Sequence, residues 1–471
     1  MIKKIFIQKS PIHAPVSALF AWHEKDGAIN RLTPPWAPLS LVARTGRGID
    51  KGVEVTFKIK IFGIPMKWQA RHIGYKKNAM FRDCQIKGPF AHWEHSHLFH
   101  ERSPDITVME DQVRFSLPFG IFSLPFYGYA KRELSRMFFY RHQVLKYDME
   151  NRVGKIQKKR ILISGGSGAI GKTLVSFLRT CGHEVICLVR DSSVRDLNKQ
   201  SQDVHFWDPY SNVLDMDAIG PVDAVINLNG VDISKGKWTF SQRAKILNSR
   251  VISTQVLVEK MRQMPHPPST FISASAIGFY GDGGQSRLTE ESEGSDCFIS
   301  RVCRQWEAAS LGAMDAGIRT VQLRIGVVLT PAGGALERML QPFLMGLGTR
   351  LADGKQYMSW IGMEDVLGGI LHILGNKEIR GPVNLTAPEP VTNREFTHTL
   401  AGILGRRAPF VLPKAAVLAL WGEMGKETLL ASARVMPEKL IKSGYKFVHP
   451  KLGRALCHVL GRVPQKTDGK M

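Results

Sequence analysis

The sequence predicts an α/β protein in two modules: a parallel sheet with crossover helices from about residue 160 onward, and a smaller α+β module ahead of it. Three observations carry this. A glycine-rich turn, Gly165-Gly166-Ser167-Gly168-Ala169-Ile170-Gly171, stands between the apolar run Ile161-Leu162-Ile163-Ser164 and a helical pattern. Apolar runs of strand length then alternate with helical segments as far as about residue 380, which implies parallel pairing. Before residue 150 the runs have period two, the mark of antiparallel strands. With 471 residues and 44% hydrophobic content, the chain is composed as a globular protein of two or three domains.

In the first module Ile5-Phe6-Ile7-Gln8 opens as a strand, and Pro15 to Trp22 reads as a short helix. Val53 to Ile61 alternates cleanly, His95 to Phe99 more loosely, and Val108 to Phe115 is a further strand. Phe115 to Ala130 is the most apolar stretch, but Pro118 and Pro125 break it and it is too short to span a membrane. Its doubled Phe-Ser-Leu-Pro-Phe reads as a loop. Tyr129 to about Asn151 follows as a long amphipathic helix with Leu134, Met137, Phe138 and Leu145 on one stripe. Residues 151–159 form a polar, basic linker.

The second module begins at about Arg160. Its strand, glycine turn and helix start form the arrangement that lets a backbone approach a pyrophosphate and aims a helix N-terminus at it. A second strand, Glu184 to Val189, follows at βαβ distance and ends in Arg190, with Asp191 next. An acid at this position would accept from a ribose 2′-hydroxyl, whereas the Arg190 guanidinium suits a 2′-phosphate. NADP(H) is therefore the expected cofactor, with NAD(H) as the alternative. The expected binding residues are Gly165, Gly166, Ser167, Gly168, Ala169, Ile170, Gly171, Arg190, Asn229 and Gly230. Further strands run over Asp223–Leu228, Thr270–Ser275 and Thr320–Ile325. From about 380 to 461 a substrate-side segment follows, helical over Pro413–Glu423, and residues 462–471 read as a disordered tail.

Residues 160–461 resemble the extended short-chain dehydrogenase/reductases, in the sugar-nucleotide epimerase-like branch of unknown substrate. The matching segments are Ile161–Gly166, Ala224–Gly230, Phe271–Asp282, Ser359–Ile361 and Gly381–Pro388. Residues 1–150, in their order of strand, helix, several strands and one long terminal helix, resemble the helix-grip fold of the polyketide cyclase/START-like superfamily. In that fold a curved sheet wraps the last helix around an apolar cavity, so the resemblance implies an apolar ligand. The fold class is thus a Rossmann-type parallel-sheet domain preceded by an α+β helix-grip (START-like) domain. The resemblance also implies a homodimer formed through the helix carrying Trp306.

In the wider superfamily, hydride transfer is assisted by a serine and by a tyrosine and lysine spaced Tyr-x-x-x-Lys. Ser275 matches the serine, but Phe298 and Val302 stand where the tyrosine and lysine belong. No lysine occurs between Lys260 and Lys355. Two readings follow. An NADP(H)-dependent oxidoreductase or epimerase-like enzyme would use Tyr280, in the turn made by Gly278 and Gly281, as proton donor, with Ser275 in support and Trp238 and Arg324 toward the substrate. A non-catalytic NADP(H)-binding sensor or ligand-binding protein would need no donor, and Tyr280 would merely wall the cofactor pocket. Asp365 reads as a helix N-cap.

The net charge of +23 is weighted to the front, with +15 in residues 1–160 and +8 in the rest. The charges are scattered and no nucleic-acid motif accompanies them, so a basic solvated surface is expected, with no nucleic-acid partner and no membrane insertion. A small-molecule substrate is the expected partner. Six cysteines without a CxxC pair fit buried hydrophobes in a reducing compartment, and the N-terminus lacks the apolar core of a signal peptide. A cytoplasmic protein is expected. His95 and His97 share a strand face, yet alternation alone produces such pairs and no further ligand is visible beside them, so no metal is expected.

Overall fold

The computed structural model describes residues 2–37, 39–46, 48–61, 63–151, 157–191 and 203–463. Part of the expected linker (152–156) and most of the expected tail (464–471) lie outside the described residues. The chain divides into two compact units, one of Met1–Ile156, Ser176–Gly182 and His458–Met471, the other of Gln157–Val175 and His183–Cys457.

The first unit begins with β1 (Lys4–Ile12), α1 (Val16–Glu24) and α2 (Ala28–Leu32). Six strands follow: β2 (Leu39–Arg44), β3 (Glu54–Ile61), β4 (Ile64–Lys76), β5 (Met80–Lys87), β6 (His92–Ser103) and β7 (Ile106–Ser116). They form one seven-stranded antiparallel sheet in the order β1-β7-β6-β5-β4-β3-β2. A single long helix, α3 (Tyr127–Asn151), closes the unit. Its stripe behaves as the periodicity requires: Leu134 and Phe138 pack with Phe6, Val113 and Phe115, while Leu145 packs with Ile12, Phe20 and Met109. Met137, at the margin of the stripe, is only partly buried. One ion pair is sealed inside. The Arg31 guanidinium donates to both Asp148 oxygens (Nε–Oδ2 3.0 Å, Nη2–Oδ1 2.8 Å), and neither side chain has exposed surface.

The second unit contains an eight-stranded sheet. Its strands are β8 (Arg160–Ser164), β9 (Glu184–Val189), β10 (Val204–Asp208), β11 (Val213–Leu214), β12 (Ala224–Asn227), β13 (Thr270–Ala276), β14 (Arg319–Ile325) and β15 (Gly381–Leu385). The order is β11-β10-β9-β8-β12-β13-β14-β15, parallel throughout except for the β10–β11 edge pair. A parallel sheet covered on both faces leaves no polar side to its strands. Accordingly Ile161, Leu162, Ile163, Ala224, Val225, Ile226, Phe271 and Ile272 are all buried. The chain winds outward in both directions from β8, which makes the β8–β12 junction the switch point of the sheet. The helices that position the site are α4 (Ala169–Thr180), α5 (Phe240–Gln263), α6 (Phe298–Leu311) and α7 (Met363–Gly375). Among the described residues no helix is long and apolar enough to cross a membrane.

The buried pair in the first unit sets a stability test. Asp148→Ala leaves the Arg31 charge sealed without its counterion, an arrangement that costs about 3–5 kcal/mol. Denaturant unfolding should register a loss of that size, and an unchanged midpoint would refute the assignment of this pair as a structural tie.

Candidate functional site

Two polar stations line the C-terminal edge of the parallel sheet, where open α/β sheets place their ligands. The first is the glycine turn at the switch point. Gly165 has φ +77°, and a Cβ there would lie 2.7 Å from the Leu228 carbonyl carbon. At Gly171 a Cβ would overlap the Gly165 carbonyl oxygen and lie 2.7 Å from the Gly166 Cα. Only glycine lets the turn fold this tightly under the start of α4. The Gly168 amide donates to the Gly165 carbonyl at 3.1 Å and closes it. Beside it, Ser164 Oγ donates to Asn227 Oδ1 at 2.8 Å, and the Asn229 amide and Nδ2 donate to the same oxygen at 3.2 and 3.0 Å. Asn227 Nδ2 is held by Thr254 of α5 at 2.8 Å. The turn Asn229-Gly230 is thereby fixed against the glycine loop. Arg190 emerges at the end of β9 with its side chain exposed.

The second station lies across β13, β14 and β15. Their register sets Ser275, Arg324 and Asn384 side by side in one row. Arg324 is the centre of the row. It donates from Nε and Nη2 to the two oxygens of Glu307 on α6, each at 2.9 Å, and from Nη1 to the Tyr280 hydroxyl at 3.0 Å. Its guanidinium carbon lies 3.5 Å from the Phe279 ring centroid, a cation–π contact. Ser275 Oγ donates to Glu307 at 2.6 Å, and Tyr280 donates to Asn384 Oδ1 at 2.7 Å. Asn384 and Lys439 both donate their backbone N–H to Glu290 Oε1, at 3.1 and 3.2 Å.

Sequence reasoning named Ser275, Tyr280 and Arg324, and the structure brings these three together. It missed Glu307, Asn384 and Glu290, whose places follow only from strand register and helix packing. Tyr280 is 3% exposed, so its hydroxyl is engaged inside the protein. Burial raises its pKa, against the lowering pull of Arg324. Burial also pushes the Cys303 thiol up to about 12, which removes it as a nucleophile at neutral pH.

Phe298 and Val302 are both buried in apolar packing. Trp238 lies in a buried apolar cluster with Phe298 and Val302. It is 8% exposed, meets Phe298 edge-on with ring centroids 5.1 Å apart, and donates its indole N–H to the Ile233 carbonyl at 2.7 Å. Trp306 is likewise core, donating to Thr254 on α5. The start of α6 is capped from afar, since Glu427 accepts from the Phe298 and Ile299 amides at 3.1 and 3.0 Å. Asp365 is not the N-cap of its own helix, a place Gly362 takes. It lies within α7 and accepts from the Val448 and His449 amides at 2.7 and 2.9 Å, so it anchors the C-terminal segment.

A separate polar centre lies in the first unit. The pair His95 and His97 is not isolated, because the register sets Asp83 opposite His95 and Asp111 opposite His97 on the inner face. Asp111 also accepts from His142 Nε2 of α3 at 2.7 Å. Burial works against charge on Asp83, His95, His97 and Asp111. The neighbouring carboxylates nevertheless raise His95 to about 9, while burial holds His97 near 3 and His23 near 4. The sequence offers one clue to this centre, an Asp or His at each of four inward strand positions, but only pairing makes it readable.

The parallel sheet with its glycine turn at the switch point defines a Rossmann-type α/β unit. Residues 161–385 match the NAD dependent epimerase/dehydratase family, and residues 412–459 match a domain of unknown function (DUF1731). An epimerase family protein of Mycobacterium tuberculosis is 38% identical over 302 residues, 64% of this chain and 98% of the relative. The human epimerase family protein SDR39U1 is 33% identical over 304 residues, 64% of this chain and 99% of its own length. The chain belongs to this epimerase family. Among solved structures, a nucleoside-diphosphate sugar epimerase from Corynebacterium glutamicum has 30% identity and a TM-score of 0.78, covering 97% of this chain and 90% of that one. The human SDR39U1 structure, solved with NADPH, has 32% identity and a TM-score of 0.58, covering 64% of this chain and all of that one.

The glycine turn provides the second test. Gly171→Ala forces an overlap with backbone and should destabilise the protein by about 1–3 kcal/mol or more. Gly168→Ala, whose new Cβ would sit 3.4 Å from the nearest atom, should be nearly neutral. Thermal unfolding of the two variants side by side checks the contrast, and equal losses would contradict this account of the turn.

Proposed function

We propose that the second unit binds NADP(H) and that the chain is an NADP(H)-dependent oxidoreductase or epimerase-like enzyme acting on a small molecule. The observation that carries this reading is the glycine turn at the switch point, with Arg190 exposed at the end of the next strand. Gly165 to Gly171 would hold the pyrophosphate, Asn229 and Gly230 the far side of the cofactor, and Arg190 the 2′-phosphate. The solved NADPH complex of the human relative supports it. The dinucleotide, when bound, supplies the hydride. This chain's residues would then manage the proton. Tyr280 would donate it, with Arg324 taking the place of the missing lysine as the cation at the phenolic oxygen, 3.0 Å away. Ser275 would act through Glu307 to hold Arg324 in place.

The same atoms favour a second reading. The Tyr280 proton is committed to Asn384 and its oxygen is buried, an arrangement that suits a cofactor-binding protein without chemistry. The first unit is, in either reading, a helix-grip START-like domain for an apolar ligand, supported by its order of strands and the apolar stripe of α3. A cytoplasmic location, supported by six cysteines without a CxxC pair, and a homodimer belong to the same proposal.

Fluorescence titration with both dinucleotides tests the cofactor assignment. NADPH should bind more tightly than NADH. Arg190→Ala should weaken NADPH about tenfold or more, the loss of one charge-assisted contact of about 1.5–3 kcal/mol, and leave NADH nearly unchanged. Equal affinities in the unmutated protein would sink the NADP(H) assignment. For the chemistry, Tyr280→Phe should cut NADPH oxidation by a carbonyl substrate about a hundredfold while cofactor affinity holds. Unchanged turnover would remove Tyr280 as the donor, and no turnover with any carbonyl compound would favour the non-catalytic reading.

A further inference from the structure

The inner face of the first unit's sheet holds a group of side chains that the dinucleotide site does not use. Asp83, His95 and His97 stand on adjacent register positions of β5 and β6, and one ligating atom from each lies within 4.8 Å of the others. Among the described residues, this is the one such group of three or more histidine, cysteine or carboxylate side chains. We propose that Asp83, His95 and His97 bind one divalent first-row transition ion of the zinc or cobalt kind, with Asp111 orienting both histidines from behind.

Four features of the geometry support the site. The donor set, two imidazoles and a carboxylate, is one that borderline cations take in preference to calcium or magnesium. The spacing fits as well. His95 Nδ1 lies 3.5 Å from Asp83 Oδ2, longer than the ~2.7–2.9 Å of a charged hydrogen bond. Two ligands each about 2.0–2.2 Å from a shared tetrahedral ion stand roughly 3.4 Å apart.

The outer support is present. Asp111 Oδ1 lies 2.9 Å from His95 Nε2 and 2.7 Å from His97 Nδ1, so one carboxylate backs both rings and leaves the opposite nitrogen of each for an ion. Such carboxylate–histidine pairs fix ring orientation at metal centres. The His97 contact is close but off-angle, and Nδ1 has no hydrogen-bond partner. Finally, the surroundings are unsatisfied. His23 and His142 are 5% and 1% exposed, and His23 Nε2 and His142 Nδ1 are buried without a partner. The His23 ring centroid lies 6.0 Å from that of His97, which places this open nitrogen's ring beside the group. Asp83 and His97 keep 17% and 12% of their side-chain surface exposed, an entry path for an ion. Charge balances on binding: the ion takes His95 Nδ1, and the proton held there leaves to solvent.

The test uses the full-length chain, stripped with chelator and titrated with Co²⁺. One equivalent should bind, with the visible absorption of low-coordinate cobalt, and Zn²⁺ should displace it. X-ray absorption of the zinc form should show two imidazoles and oxygen at about 2.0–2.2 Å. Asp83→Asn and His97→Gln should each weaken binding at least tenfold, and Asp111→Asn about 10–100-fold. His100→Gln, on a residue with a half-exposed side chain outside the group, should change nothing. Circular dichroism checks that each variant is folded. Should the variants unfold, the spectra of the unmutated chain decide alone. Failure of that chain to retain any ion, a single-histidine zinc spectrum, or undiminished binding by folded Asp83→Asn/His97→Gln overturns the site.

Discussion

A buried guanidinium must be neutralised from several directions at once, and Arg324 is held that way. Glu307 meets it from a helix, Tyr280 from a turn, and the Phe279 ring covers its face. Because Asn384 then ties Tyr280 to the last strand, and Glu290 ties Asn384 to the backbone at Lys439, one cation organises five separate stretches of chain. Glu307 could not shift without stranding the Arg324 charge, nor Tyr280 or Asn384 without breaking a buried hydrogen bond. The row Ser275–Arg324–Asn384 is therefore a rigid edge, and a rigid edge is what a site needs if it is to hold reacting groups in fixed positions.

The start of α6 in the second unit is held by packing and a remote cap. At the start of α6, Phe298 sits under Trp238 and Val302 sits in the core, while Glu427 takes up the first free amides of the helix. An anion at a helix N-terminus is favourable both as a hydrogen-bond acceptor and against the helix dipole. The segment matched as a domain of unknown function thus contributes directly to the start of α6.

The parts of this structure that could be read from the sequence are those set by local constraint. A backbone that must pass within contact of itself demands glycine, so Gly165 and Gly171 announced the turn. Strands buried on both faces are continuously apolar, so β8, β12 and β13 were plain. The long α3 was legible from its stripe. By contrast β4 and β5 escaped notice. Their inner positions include His72 and Asp83, and a polar residue on the buried side erases the alternation that marks a strand. Long-range partners escaped for a related reason. Glu307 lies 17 residues before Arg324 and Glu427 lies 128 after Ile299, and no local pattern links either pair. Asp365 looked like a cap because it sits near a helix start, yet its partners are a loop more than eighty residues on.

The charged inner face of the first unit also bears on how that sheet finds its pairing. Side chains alternate along a strand, so sliding β6 by one residue against its neighbours would turn His95 and His97 to the opposite face. Asp83 would lose its histidine and Asp111 would keep only His142, and a buried carboxylate stripped of a partner is far more costly than a mismatched pair of apolar side chains. An all-apolar face would resist that slip by exposure of its apolar side chains, but would distinguish less sharply between alignments two residues apart. Here the paired histidines and aspartates add a polar condition, so they serve as a key that penalises every alignment that parts them.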